Sequence, residues 1–287
     1  MKGYFFLHSF IEINSYPVYL GNICLMLEET LKYIEISVED RIGYITLNRP
    51  DKRNALNFVV IKELKLAFSE LEKSDEVKVI ILRANGKAFC AGADLEYMQR
   101  LQEYSLNENL LDSAHLMELF KQIYRLNKIV IAQIEGHALA GGCGLATLAD
   151  FSFSVPDAKF GYTEAKIGFI PAIVMVFLLR KIGEGKTKEL LLSGDLISAE
   201  KAQSFGLINY VIPADEIVNT VRDFAKRICA ENSYASMEVT KKMIADVQNM
   251  TLEEGLMFAA RMNAHSRSSP ECIKGIHNFL NKLPQNW

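Results

Sequence analysis

Residues 128–150 read KIVIAQIEGHALAGGCGLATLAD. The opening KIVIAQIEG is close to continuously apolar, as expected of a strand covered on both faces in a parallel sheet. The remainder sets Gly141 and Gly142 at the mouth of a short helix around LATLAD. Glycines there let a ligand reach bare backbone N–H groups, and they equally let a helix pack closely on a strand. Strand, small-residue turn and helix make one unit of an α/β fold.

The unit recurs upstream. VKVIILRAN (77–85) is a second buried-strand pattern, followed by KAFCAGADLEYM (87–98), in which Ala91, Gly92 and Ala93 precede the helix-forming LEYMQRLQ. IGYITL (42–47) reads as an earlier strand, and NRPDKRNAL as the turn that leads from it into a helix. Leu106, Leu110, Met117, Phe120 and Tyr124 recur at helical spacing and predict a long amphipathic helix. Alternating strands and helices imply parallel pairing, right-handed crossovers and ligand sites at strand ends. Beyond Pro213 strand signals stop, and LEEGLMFAARMNAHSR (252–267) reads as helix.

The totals agree with one large globular domain, or one domain with an appendage. The chain has 287 residues, 49% hydrophobic and 23% charged, enough for a substantial core and too apolar for disorder. A net charge of -3 provides no basic footprint, so nucleic acid is not expected as the main partner. Cys24, Cys90, Cys143, Cys229 and Cys272 are scattered, without CxxC spacing, and read as reduced thiols of a cytoplasmic protein. The N-terminal MKGYFFLHSFIEINSYPVYLGNICLM begins like a signal peptide. Glu12 and Asn14 interrupt its apolar run, so residues 1–30 are read as an extension of uncertain status. No later stretch has the roughly 18 apolar residues of a membrane span.

Three places carry candidate chemistry. The turns at Ala91–Ala93 and at Gly141–Gly142 each follow a predicted parallel strand, and together they offer two N–H donors that can converge on one oxygen. Taken singly, each is as well explained by close packing. In FGYTEAKIGFIPAIVM (160–175), Glu164 stands among small and apolar residues; if buried, its pKa would rise toward that of a neutral-pH acid or base. As a lone glutamate it also fits a solvated helix end. HExxH, GxSxG, GxGxxG and the P-loop are absent, and Cys143 near His137 reads as a core thiol.

NRPDKRNAL, KAFCAGADL, HALAGGCGLATLAD, AKFGYTEAKIGFIPA and GKTKELLLSGDLISAEKAQSFGLINYVIP, in this order, resemble the enoyl-CoA hydratase/isomerase, or crotonase, family from about Leu31 to the end. The resemblance implies an α/β fold, a crotonase-like spiral of ββα units over 31–212. A helical oligomerisation region over 213–287 would build a homotrimer or hexamer. It implies an oxyanion hole at the N–H groups of Ala93 and Gly141, polarising the thioester carbonyl of an acyl-CoA, with Glu164 moving the proton. Lys52, Arg53 and Ala55 would lie along the coenzyme A path, and the backbone at Ala91, Asp94 and Leu95 would line the pantetheine and acyl turn. Coenzyme A would be part of the substrate; no separate cofactor and no metal are expected. One departure matters: family hydratases carry two glutamates, and Gly144 stands where the first would be. EYMQRLQEYSLNENLLDSAHLMELFKQIY, the acid-free GGCGLA and IGFIPAIVMVFLLRKIGE look similar to bacterial methylglutaconyl-CoA hydratases of leucine breakdown. The expectation is a lyase hydrating a short, branched enoyl-CoA. Its alternatives are a single-glutamate 3,2-enoyl-CoA isomerase and a non-catalytic CoA- or RNA-binding member. Glu103, Asp112 and Glu118 on the intervening helix are candidates for a second acid, though each also fits a solvated face.

Overall fold

The computed structural model describes residues 31–285 and 287; the reading of residues 1–30 as an extension lies outside them. β1 (Ile34–Glu39) and β2 (Ile42–Leu47) form an antiparallel hairpin. A loop and α1 (Phe58–Lys73) lead to β3 (Val79–Ala84) and β4 (Ala88–Cys90), then to α2 (Leu95–Leu101) and α3 (Leu106–Arg125). The next turn of the spiral is β5 (Ile129–Ile134), β6 (His137–Leu139) and α4 (Gly141–Leu148). The following one is β7 (Phe151–Ser154), β8 (Lys159–Gly161), a 3-10 turn (Glu164–Ile167) and α5 (Ala172–Ser193). β9 (Ile197–Ser198), α6 (Ala199–Ser204) and β10 (Tyr210–Val211) end the strand region. Only helices follow: α7 (Ile217–Glu231), α8 (Tyr234–Val247), α9 (Leu252–Arg267) and α10 (Pro270–Leu280).

β1 and β2 stay together, but in the pairs β3/β4, β5/β6 and β7/β8 the two strands part company. The first joins a six-stranded sheet ordered β1-β2-β3-β5-β7-β10, and the second a four-stranded sheet ordered β4-β6-β8-β9. β2, β3, β5, β7 and β10 run parallel, as do β4, β6 and β8. Ile42, Ile45, Val79, Ile80, Ile81, Leu82, Val130 and Ile131 are fully or almost fully buried. The large sheet is therefore packed on both faces, as its apolar runs predict, and each such side chain contributes about 1.5–3 kcal/mol.

The fold is the expected ββα spiral, with two refinements. β4, β6 and β8 have three residues each, too short to show alternation, so the sequence reading saw only their turns. α3 forms where predicted and opens on a Ser105/Glu108 capping box, yet Leu106, Leu110 and Met117 are exposed. Its buried face is Leu119, Phe120 and Ile123, because only the C-terminal half lies over the core. Among the described residues no helix is long and apolar enough to cross a membrane.

Candidate active site

The small sheet aligns the predicted residues. Its three parallel strands end side by side; Ala93 follows β4, Gly141 follows β6 and Glu164 follows β8. Loops leaving the carboxyl ends of adjacent parallel strands converge on one crevice.

The first two turns touch. Gly92 has φ +88, and a Cβ built on it would lie 2.6 Å from Ala140 Cβ and 3.4 Å from Gly141 N. Only glycine combines that backbone with so close an approach. Leu56 pairs with Ala93 as a parallel bridge: Leu56 N–H donates to Gly92 O (2.7 Å) and Asp94 N–H to Leu56 O (2.8 Å). A residue flanked by such bonds turns its own N–H to the opposite side. Beside it, α4 starts without a side-chain cap from Ala140, which is held at φ 49 and ψ -123. Among the described residues neither Ala93 N–H nor Gly141 N–H has an acceptor. An uncapped helix start leaves donors aimed outward with the positive end of the helix dipole behind them. Gly142 seats α4 on the sheet, where a Cβ would fall 2.2 Å from Cys90 O.

Glu164 opens the 3-10 turn, whose end is set by Gly168 at φ 73 and by the Phe169 N–H to Glu164 O bond (3.0 Å). It is 9% exposed, and its Oε2 is buried without a hydrogen-bond partner. Burial raises its pKa, against a smaller lowering by its own backbone N–H. Two residues before it in the chain, the buried Tyr162 hydroxyl lies 2.8 Å from Thr147 Oγ1, and the Thr147 hydroxyl donates to Cys143 O (2.9 Å). Burial pushes the Cys143 thiol up to about 12, as it does that of Cys90, which removes both as nucleophiles at neutral pH.

The position of Gly144 is closed. A Cβ there would meet Val174 Cγ1 at 2.7 Å and the Phe120 ring at 2.8 Å, so aromatic and aliphatic carbon fill the space. The other acid candidates are engaged elsewhere. Asp112 accepts from Tyr97 hydroxyl, Glu118 pairs with Lys65, and Glu103 is exposed in the turn after α2 rather than on a helix.

The loop at 49–56 borders the crevice. Arg53 and Asn54 are left-handed, with φ 52 and 55, and Arg53 O accepts from Ala91 N–H (3.0 Å). Lys52 Nζ pairs with Glu96 Oε1 at 2.6 Å on the surface, while the Arg53 side chain is exposed with no partner among the described residues. Ala55 is buried, leaving its backbone as the only group it can offer, and Leu95 is exposed at the start of α2. Sequence reasoning missed Arg49, Asn54 and the Phe120–Val174 plug. Asn54 is 1% exposed and its Nδ2 donates to Asn85 O and Ala88 O, both at 2.9 Å, tying this loop to β4. A cavity of about 990 Å³ lies elsewhere, between the carboxyl end of α4 and α7, α8 and α10. Among the described residues no group of three His, Cys, Asp or Glu side chains could hold a metal ion.

Residues 37–287 match the enoyl-CoA hydratase/isomerase family. A Thermus thermophilus protein named for enoyl-CoA hydratase activity is 37% identical over 246 residues, 86% of this chain and 97% of its own. Crotonyl-CoA hydratase of Syntrophomonas wolfei is 30% identical over 88% of this chain and 97% of its own. A Legionella pneumophila crystal structure described as of enoyl-CoA hydratase/isomerase (crotonase) type aligns with TM-score 0.82 at 34% identity, over 90% of this chain and 100% of its own. Family pattern, relatives and spiral agree over the same residues: the chain belongs to the enoyl-CoA hydratase/isomerase, or crotonase, family of enzymes.

Proposed function

We propose that the protein is a hydro-lyase that adds water across the α,β double bond of a short, branched enoyl-CoA, 3-methylglutaconyl-CoA being the first candidate. The observation that supports the reading is that two unclaimed backbone amides, Ala93 and Gly141, and the buried, unpartnered Oε2 of Glu164 each follow one of three neighbouring strand ends. The amides hold the thioester oxygen as it becomes an enolate oxygen; removing one such donor typically costs about 2.7–4 kcal/mol of transition-state stabilisation. Glu164 serves as the single acid/base: water oxygen bonds to the β-carbon, the carboxyl proton passes to the α-carbon, and the proton released by water restores the carboxyl group. Burial favours the neutral carboxyl that this direction needs. The branched acyl group is inferred from the likeness of the 96–124 and 167–184 stretches to methylglutaconyl-CoA hydratases.

In this reading Lys52 and Arg53 meet the anionic end of coenzyme A, Ala55 borders its path, and the backbone of Ala91, Asp94 and Leu95 lines the pantetheine and acyl turn. Coenzyme A belongs to the substrate, and neither a separate cofactor nor a metal takes part. The exposed apolar residues Leu252, Leu256, Met257, Ile273, Ile276 and Phe279 on α9 and α10 suit a homotrimer or hexamer, and free buried thiols at Cys90, Cys143 and Cys229 suit the cytoplasm.

A second reading, a 3,2-enoyl-CoA isomerase, is favoured by the plugged space at Gly144, because one carboxylate suffices to carry a proton between carbons. Purified protein offered 3-methylglutaconyl-CoA, crotonyl-CoA and 3-hexenoyl-CoA separates them. Water gained on the first, with little on the second, is expected; bond migration at constant mass on 3-hexenoyl-CoA alone would replace the hydratase reading with the isomerase.

A further inference from the structure

A buried ion pair ties Asp94, the residue after Ala93, to the 49–56 loop. Arg49 Nη1 donates to Asp94 Oδ2 at 2.7 Å and to Ala55 O at 3.2 Å. The two side chains are 11% and 7% exposed. Asp94 uses its other oxygen to cap α2, accepting from Glu96 N–H (3.0 Å) and Tyr97 N–H (3.2 Å). One carboxylate thus joins the start of α2 to the 49–56 loop, with Ala93 as the residue immediately before it. Arg49 is itself fixed: its N–H donates to Asn54 Oδ1 (2.8 Å), and its guanidinium lies over the Tyr33 ring at 5.1 Å.

Burying a charge pair seldom stabilises a fold more than apolar side chains of the same volume would. Here the pair lies where the chain must turn sharply after Gly92 and present a single N–H to the crevice. Backbone bonds on either side of Ala93 run to Leu56, and the pair closes the third side through Ala55 and Asp94. We propose that Arg49 and Asp94 are positioning residues that lock the direction of the Ala93 N–H, and so govern kcat more than substrate affinity. This role presupposes the oxyanion reading of that amide.

The test uses the full-length protein. Asp94→Asn keeps a good helix cap and removes the charge, leaving Arg49 unpaired. The double variant Arg49→Met/Asp94→Asn removes both charges and fills the space, so it keeps the fold without a stranded cation. Both are expected to lower kcat at least tenfold with KM changed less than threefold, since small misplacement of a catalytic group costs up to about a hundredfold. Arg49→Lys, which retains the charge, should fall between. A folded double variant with kcat within twofold of the wild type would show that the pair is structural only.

A second measurement reads the amide without turnover: the infrared carbonyl stretch of bound butyryl-CoA labelled with carbon-13 at the thioester. The wild type should shift the band to lower frequency, and the double variant should lose part of that shift. Equal shifts in both proteins overturn the positioning role while the oxyanion reading stands. No shift in the wild type overturns the oxyanion reading itself.

Discussion

Glu164 shows what burial does to one residue's chemistry and to its contribution to stability. Its folded pKa is raised by desolvation, so between the ordinary glutamate range and that raised value the folded state holds a proton that the unfolded chain has lost. Stability from this group is full below the ordinary range and falls as pH climbs through the raised value. Glu164→Gln should therefore abolish turnover while leaving the melting temperature at pH 8 equal to or above that of the wild type. A large loss of stability would show that the carboxylate is structurally paired. The kinetic sign follows from the same protonation state. Because the carboxyl group begins and ends either direction protonated, hydration and dehydration should both lose rate as pH rises through the Glu164 pKa; parallel pH profiles run in both directions check this, and a rate that does not fall with rising pH would remove the carboxyl as the proton donor. Gly144 is a residue of the opposite kind, constrained by space alone. Gly144→Ala drives a Cβ into Phe120 and Val174, and overpacking of this type costs about 1–3 kcal/mol, read as a lower denaturation midpoint.

At the scale of elements, α4 joins the candidate site to the C-terminal helices. Its N-terminus presents the Gly141 amide, and at its carboxyl end Lys181 of α5 donates to Thr147 O (2.9 Å) and Ala149 O (3.0 Å). Burial lowers that lysine's pKa to about 8. Nearby, Lys241 of α8 donates to Asp150 Oδ2 (2.7 Å) and Lys128 O (2.9 Å), fastening α8 to the ends of β5 and β7. Lys241→Met leaves Asp150 with only its bond from Val130 N–H, so we expect a loss of about 3 kcal/mol, the lower end for breaking a buried pair, because Asp150 keeps some access to water. Chemical denaturation at fixed protein concentration measures it. The elements that set this geometry differ in how well they show in sequence. β2, β3 and β5 announce themselves as largely apolar, strand-favouring stretches of six residues, whereas β4 and β6 are legible only as the glycine turns that follow them.

At the scale of the molecule, apolar surface remains uncovered on a single chain. Leu252, Leu256, Met257, Ile273, Ile276 and Phe279 on α9 and α10 are exposed, as are Leu106, Leu110 and Leu111 on α3. Apolar patches of that size mark interaction surfaces, and the proposed homotrimer or hexamer would cover these. Light scattering at micromolar concentration should give three or six chains. Phe279→Glu with Ile276→Glu should shift the particle toward smaller species if α10 carries the contact. An unchanged mass would move the interface to another face.

The sequence by itself determined that β2, β3 and β5 are strands separated by helices, because apolar runs and helical spacing are local properties that burial imposes on any chain of this architecture. It also marked the turns at Ala91–Ala93 and Gly141–Gly142, since a backbone that must approach another closely admits only small residues. Tertiary structure alone decided which groups meet. Leu106 and Leu110 follow the helical pattern yet face outward, since periodicity says that a face is apolar and not what covers it. Arg49 and Asp94 stand 45 positions apart, and nothing in either segment predicts their ion pair. Nor does the glycine at 144 reveal that Phe120, from a different turn of the spiral, fills the space beside it. Contacts between distant segments depend on how the spiral closes, and that closure is a property of the whole packed chain.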